Sequence, residues 1–149
     1  MHSKRVISPE LLNAHAHNAK HVLLFATLRN CRDQKRSIKI TDHFTCTSTN
    51  VVYCITCTLC KKLYIGETGR RLGDRFREHL CLVQKDDKNA SKPVARHFNL
   101  PNHSKQHMVV CGLSLNQGST ERRKTLDQKI IFQIDTVNPH GINERVSSN

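Results

Sequence analysis

Val51-Val52-Tyr53-Cys54-Ile55 and Leu63-Tyr64-Ile65-Gly66 decide how this chain folds. Each is a short run of β-branched and aromatic side chains, and Gly66 closes the second. Runs of that kind bounded by turn residues read as strands, and two so close together read as a hairpin. The connection is unusual. Where an ordinary hairpin carries Asn-Gly or Asp-Gly, this one carries Cys57-Thr58-Leu59-Cys60.

Beyond Gly66 the hydrophobic period lengthens. Leu72, Phe76, His79, Leu80 and Val83 recur at three- and four-residue steps, which predicts a helix over 69–84 with one buried stripe. Arg75 and His79 then share a helix face. Residues 85–89 are a polar break, after which Ser91 caps a short helix that carries Pro93 in its first turn and stops before Pro101. Residues 108–113 read as a third strand and 116–120 as a loop. Leu126, Ile130, Ile131 and Ile134 form the stripe of a second long helix, and 138–141, Asn-Pro-His-Gly, are a turn. The order β-β-α, short α, β, α gives a small sandwich of the α/β class.

The chain has 149 residues, enough for one modest domain or a small domain with a tail. It carries 24 Lys+Arg against 12 Asp+Glu, a net charge of +12, which favours a polyanionic partner through a long-range, salt-screened field. With 37% hydrophobic residues, 5% aromatic and no Trp, the core must be aliphatic, and a large enzyme is excluded. Residues 1–42 are polar and basic, with His15, His17 and His21 and no sustained period; they read as a weakly structured N-terminal extension, and 43–146 as the domain. The apolar stretch 22–28 is too short to span a membrane, so no membrane partner is expected and the protein reads as intracellular. Seven cysteines, three of them (Cys54, Cys57, Cys60) at two-residue gaps, favour metal over disulfides.

Cys57 and Cys60 can face one ion from the hairpin loop. Downstream, His97 and His103 are joined by a turn containing Pro101 that brings both imidazoles to one point. Two thiolates and two imidazoles make a closed tetrahedral set for a structural Zn²⁺. Cys54 competes at equal spacing from Cys57 but falls mid-strand, where it packs as a small hydrophobe, and His107 is a substitute for His103. The alternative is that the thiols are merely buried and the histidines solvated.

Tyr53 and Tyr64, the only tyrosines, lie on neighbouring strands, with Arg75 and His79 on the helix beside them. These motifs, with Gly69 and Arg75-Phe76-Arg77-Glu78-His79, resemble the GIY-YIG nuclease domain. More narrowly, the Cys57/Cys60 pair between the two tyrosines, the stretch Pro93-Val94-Ala95-Arg96-His97-Phe98-Asn99 leading to His103, and Asn138-Pro139-His140-Gly141-Ile142-Asn143-Glu144-Arg145 resemble the endonuclease domain of Penelope-like retroelements. The first signature reads Val-Val-Tyr here. The resemblance covers about 43–145 and implies a three-stranded antiparallel sheet flanked by helices, with the zinc knuckle inserted.

The resemblance further implies a metal-dependent DNA endonuclease that uses one Mg²⁺ or Mn²⁺ and no small-molecule substrate, working in the nucleus. Tyr53 would activate or position the attacking water, and Tyr64 would sit at the reacting phosphate. Arg75 would stabilise charge on the phosphoryl oxygens, and His79 would support proton transfer or orient Tyr53. Asn143 would help shape the site. The family's metal-binding glutamate falls on Asp127, with Glu121 as second choice. Lys61, Lys62, Arg70 and Arg71 are the candidate DNA contacts, whereas Arg122, Arg123 and Lys124 read as solvated helix charges. Two other readings stand beside the nuclease: a catalytically inactive nucleic-acid-binding remnant of the same domain, and a zinc-stabilised interaction module.

Overall fold

The computed structural model describes residues 44–85 and 91–144. Residues 1–42, expected as a weakly structured extension, lie outside them. Three strands, β1 (Val51–Cys57), β2 (Leu63–Thr68) and β3 (Met108–Leu115), form one sheet in the order β2-β1-β3. Both pairings are antiparallel. Three helices flank the sheet: α1 (Leu72–Gln84), α2 (Pro93–Phe98) and α3 (Thr120–Ile134), with a 3₁₀ turn at Lys105–His107.

β1 is central because both of its faces are apolar. Val51, Tyr53, Ile55 and Cys57 pack with Leu72, Phe76, Leu80, Val94 and Phe98 of α1 and α2. Val52 and Cys54 pack with Ile65, Cys111, Leu113, Ile130 and Ile131 on the α3 side. The two-residue period of a strand therefore sorts one run of sequence into two cores. It also decides the cysteine question: Cys54 and Cys57 project to opposite faces, and Cys54 stacks against its register partner Cys111.

Helix α1 begins at Leu72, three residues later than its stripe suggested. The carbonyls of Ser48 and Cys46 accept hydrogen bonds from Leu72 and Gly73 N–H at 2.8 and 2.9 Å, so the preceding loop caps the helix through its backbone. Helix α2 begins at Pro93 with Lys92 at the N-cap, and Ser91 caps nothing. Proline holds the residue before it extended, with Lys92 at φ −88 and ψ 127, and so fixes the boundary itself. Ser119 caps α3, its side chain accepting from Arg122 N–H. After α3 the chain returns to the outer edge of β2, where Ile142 N–H donates to the Leu63 carbonyl at 2.8 Å. The edge strand is covered there.

Candidate active site and metal centre

Tyr53 sits mid-β1, opposite Gly66 on β2 and Gly112 on β3. A Cβ at position 66 would lie 2.5 Å from Tyr53 Oη, so only glycine lets the phenol lie across β2. From that position Oη reaches Nε2 of His79 on α1 at 2.8 Å. The Tyr64 ring completes a cluster, with its centroid 6.4 Å from that of Tyr53 and 5.7 Å from that of His79. Arg75, one turn before His79, faces both phenols and pairs with Glu78 at 2.9 Å. The structure thus brings together Tyr53, Tyr64, Arg75 and His79.

Burial pushes both phenols above their ordinary range, Tyr53 further than Tyr64, with Arg75 opposing the shift at each. Burial, helped by the Arg75 charge, pushes His79 down to about 3. Phenol and imidazole are therefore both neutral at pH 7. Nδ1 of His79 is buried without a hydrogen-bond partner.

Asp127 projects from α3, 8% exposed. Its Oδ1 is buried without a hydrogen-bond partner, while Oδ2 accepts from Gln128 Nε2 at 3.4 Å. Burial first and the nearby Glu67 second push this carboxyl up to about 7. Its charge in turn raises both tyrosines, so it acts on the same cluster. A desolvated carboxylate with an unsatisfied oxygen fits a hard, oxygen-seeking cation such as Mg²⁺ or Mn²⁺. Glu121 is exposed in the first turn of α3. Asn143 is buried, and its amide accepts from Ile65 N–H at 2.8 Å, donates to the Ile65 carbonyl at 2.9 Å and accepts from Thr136 Oγ1 at 2.7 Å. It thereby fastens the C-terminal segment beside Tyr64.

A second cluster gathers beside the hairpin loop, from the end of β1, the loop itself, α2 and the turn that follows it. Cys57, Cys60, His97 and His103 offer ligand atoms that all lie within 4.8 Å of one another. Cys60 Sγ is 3.4 Å from His97 Nε2. His103 directs Nδ1 at the Pro101 carbonyl, 2.9 Å away, leaving a buried Nε2 without a partner. That arrangement fixes the tautomer a metal-binding imidazole needs. His107 is engaged elsewhere, its Nδ1 accepting from Ser104 N–H at 3.1 Å to cap the 3₁₀ turn. The donor set of two thiols and two imidazoles suits Zn²⁺.

Two expectations about charged residues divide. Lys61 and Lys62 follow the loop at one end of the hairpin, and Arg70 and Arg71 are exposed at the other, where Arg70 pairs with Glu78. Arg123 is not solvated: it is 5% exposed, with Nε 2.5 Å from Glu67 Oε2 and Nη1 3.0 Å from Asn50 Oδ1. The sequence carries one faint signal for it, helical phase, since Arg123 lies on the stripe of Asp127 and Ile130, but the neighbouring charges mask that signal. Among the described residues no helix is long and apolar enough to cross a membrane.

Comparison with curated proteins and with solved structures gives no significant match. Residues 49–110, which hold both tyrosines, Arg75, His79 and the Cys57, Cys60, His97 and His103 cluster but neither Asp127 nor Asn143, match the family model of the GIY-YIG catalytic domain, a nuclease domain.

Proposed function

We propose that this protein is a metal-dependent DNA endonuclease of the GIY-YIG type, of Penelope-like origin and acting in the nucleus, with a structural Zn²⁺ in its hairpin loop. The observation that carries the reading is the 2.8 Å contact between Tyr53 Oη and His79 Nε2, in a segment that matches a nuclease family model. Tyr53 donates its proton to the neutral His79 as it accepts one from the attacking water, so the phenol need not ionise on its own. Arg75, facing both phenols, is the fixed cation for the non-bridging phosphoryl oxygens. Tyr64 lines the place of the reacting phosphate. Asp127 would hold the Mg²⁺ or Mn²⁺, which when bound supplies Lewis-acid stabilisation of the leaving oxygen. Asn143 keeps β2 and the C-terminal segment in register around Tyr64. Lys61, Lys62, Arg70 and Arg71 bracket the site along β2 as phosphate contacts.

The test is nicking of supercoiled plasmid in Mg²⁺ or Mn²⁺, against EDTA, with Tyr53→Phe, Arg75→Ala and Asp127→Ala. Metal-dependent nicking lost in all three variants, with DNA binding retained, is the expected result. The rival reading of an inactive nucleic-acid-binding remnant draws on one departure, the aspartate at 127 where the family carries glutamate. Zinc-loaded, DNA-bound protein without nicking in either metal would establish that reading instead.

A further inference from the structure

The stripe of α3 that faces the sheet changes character along its length. In the C-terminal half it is Ile130 and Ile131, buried in the core beside Ile65 and Leu113. In the N-terminal half the buried positions are Arg123 and Asp127, four residues apart on one face. Where Asp127 sits, the helix is held by polar bonds. Arg123 donates from Nε to Glu67 at the end of β2, and from Nη1 to Asn50 just before β1. Its Nη2 lies against Gly69, where a Cβ would come within 3.1 Å. One guanidinium thus ties α3 to the two strands that carry Tyr53 and Tyr64, and Glu67 lies close enough to Asp127 to raise its carboxyl.

We propose that Arg123 is a positioning residue that sets the place of Asp127 at the catalytic cation by clamping the N-terminal half of α3 to Glu67 and Asn50. The proposal rests on the reading of Asp127 as the cation ligand. Arg123 touches neither substrate nor metal; it acts through the helix, and the fork of the guanidinium matters because two acceptors in different elements must be held together. Partners one step behind a metal ligand typically alter affinity by about 10- to 100-fold when lost.

The test measures Mn²⁺ binding directly, by electron paramagnetic resonance on zinc-loaded full-length protein, beside melting temperature. Asp127→Ala defines the background. Arg123→Lys keeps the charge and loses the fork, so it reports geometry separately from field; Mn²⁺ affinity is expected to fall about tenfold. Asn50→Gly removes one acceptor while accommodating the φ of 55 at that position, and is expected to give a smaller loss in the same direction. It also covers the case in which Arg123→Lys fails to fold. Gly69→Ala crowds the guanidinium and is expected to behave like Asn50→Gly. Folded variants with wild-type Mn²⁺ affinity, whatever their melting temperatures, overturn the proposal and leave Asp127 as ligand. A wild type that binds no more Mn²⁺ than Asp127→Ala overturns the cation reading, and the clamp with it.

Discussion

Tyr53 and His79 form a pair whose chemistry depends on both partners being neutral, and the physical cause is the same for each: burial disfavours the charged form, raising a phenol and lowering an imidazole. Tyr53→Phe removes the proton acceptor and keeps the ring's packing. Nicking is expected to fall by about 10²- to 10⁴-fold with the melting temperature little changed. His79→Gln keeps a polar group near Oη without a proton-accepting nitrogen, and should cost activity on the same scale. A variant at either position that nicks at the wild-type rate would remove the pair from the mechanism. Gly66 belongs to the same scale of argument. Its missing Cβ is the space Tyr53 Oη occupies, so Gly66→Ala must move the phenol, and a displacement of about 1 Å is worth roughly 100-fold in rate. Overpacking costs on the order of 1–3 kcal/mol as well, so the variant is assayed below its own melting point.

At the scale of elements, the apolar residues at the tips of the hairpin loop and of the turn after α2, Leu59 and Leu100, are nearly half exposed and contribute little burial there. Cys57 at the end of β1, Cys60 in the loop, His97 on α2 and His103 in the turn converge there, so on the proposed reading a bound Zn²⁺ fastens that end of the molecule. One zinc per chain is expected by elemental analysis. Removing it with a chelator, or replacing Cys60 by Ser, should lower the melting temperature by several degrees, because a ligand that binds only the folded state stabilises it by mass action. Unchanged melting after complete zinc removal would sink the structural role. The elements themselves were mostly legible in the sequence because their patterns differ: short β-branched and aromatic runs for β1 and β2, three-and-four spacing for α1 and α3. The cluster was legible too, since all four ligands lie in short, turn-bounded segments. Arg123 was not, because a charge beside other charges reads as solvent-facing until a partner such as Glu67, distant in sequence, is known to lie opposite. The start of α1 was hidden for the same reason, its caps being backbone carbonyls of Cys46 and Ser48, which carry no side-chain signal.

The whole molecule carries +12, and the four candidate phosphate contacts stand at both ends of β2, a strand of six residues that spans about 20 Å. Duplex binding is expected to weaken with salt at a logarithmic slope of about −3.6, some −0.9 for each contact, and a slope near zero would remove duplex DNA as partner. The stability of the fold answers to pH through Asp127. Its carboxyl is raised from about 3.8 to about 7, so the folded state holds a proton there that the unfolded state releases between those values. Relative to a neutral side chain the aspartate costs nothing below about pH 4, and its full cost appears above about pH 7. Asp127→Asn should therefore match the wild type in denaturant melts at pH 4 and exceed it at pH 8 without divalent metal, by on the order of 3 kcal/mol once solvent screening reduces the full shift. On the proposed reading, a bound cation offsets that cost. Adding Mn²⁺ at pH 8 should accordingly raise the stability of the wild type, by about 1.4 kcal/mol for each tenfold excess over its dissociation constant, and leave Asp127→Asn unmoved. Equal stability of the two proteins at pH 8 would mean that burial does not strain the carboxylate, and an equal response to Mn²⁺ would mean that no metal relieves it.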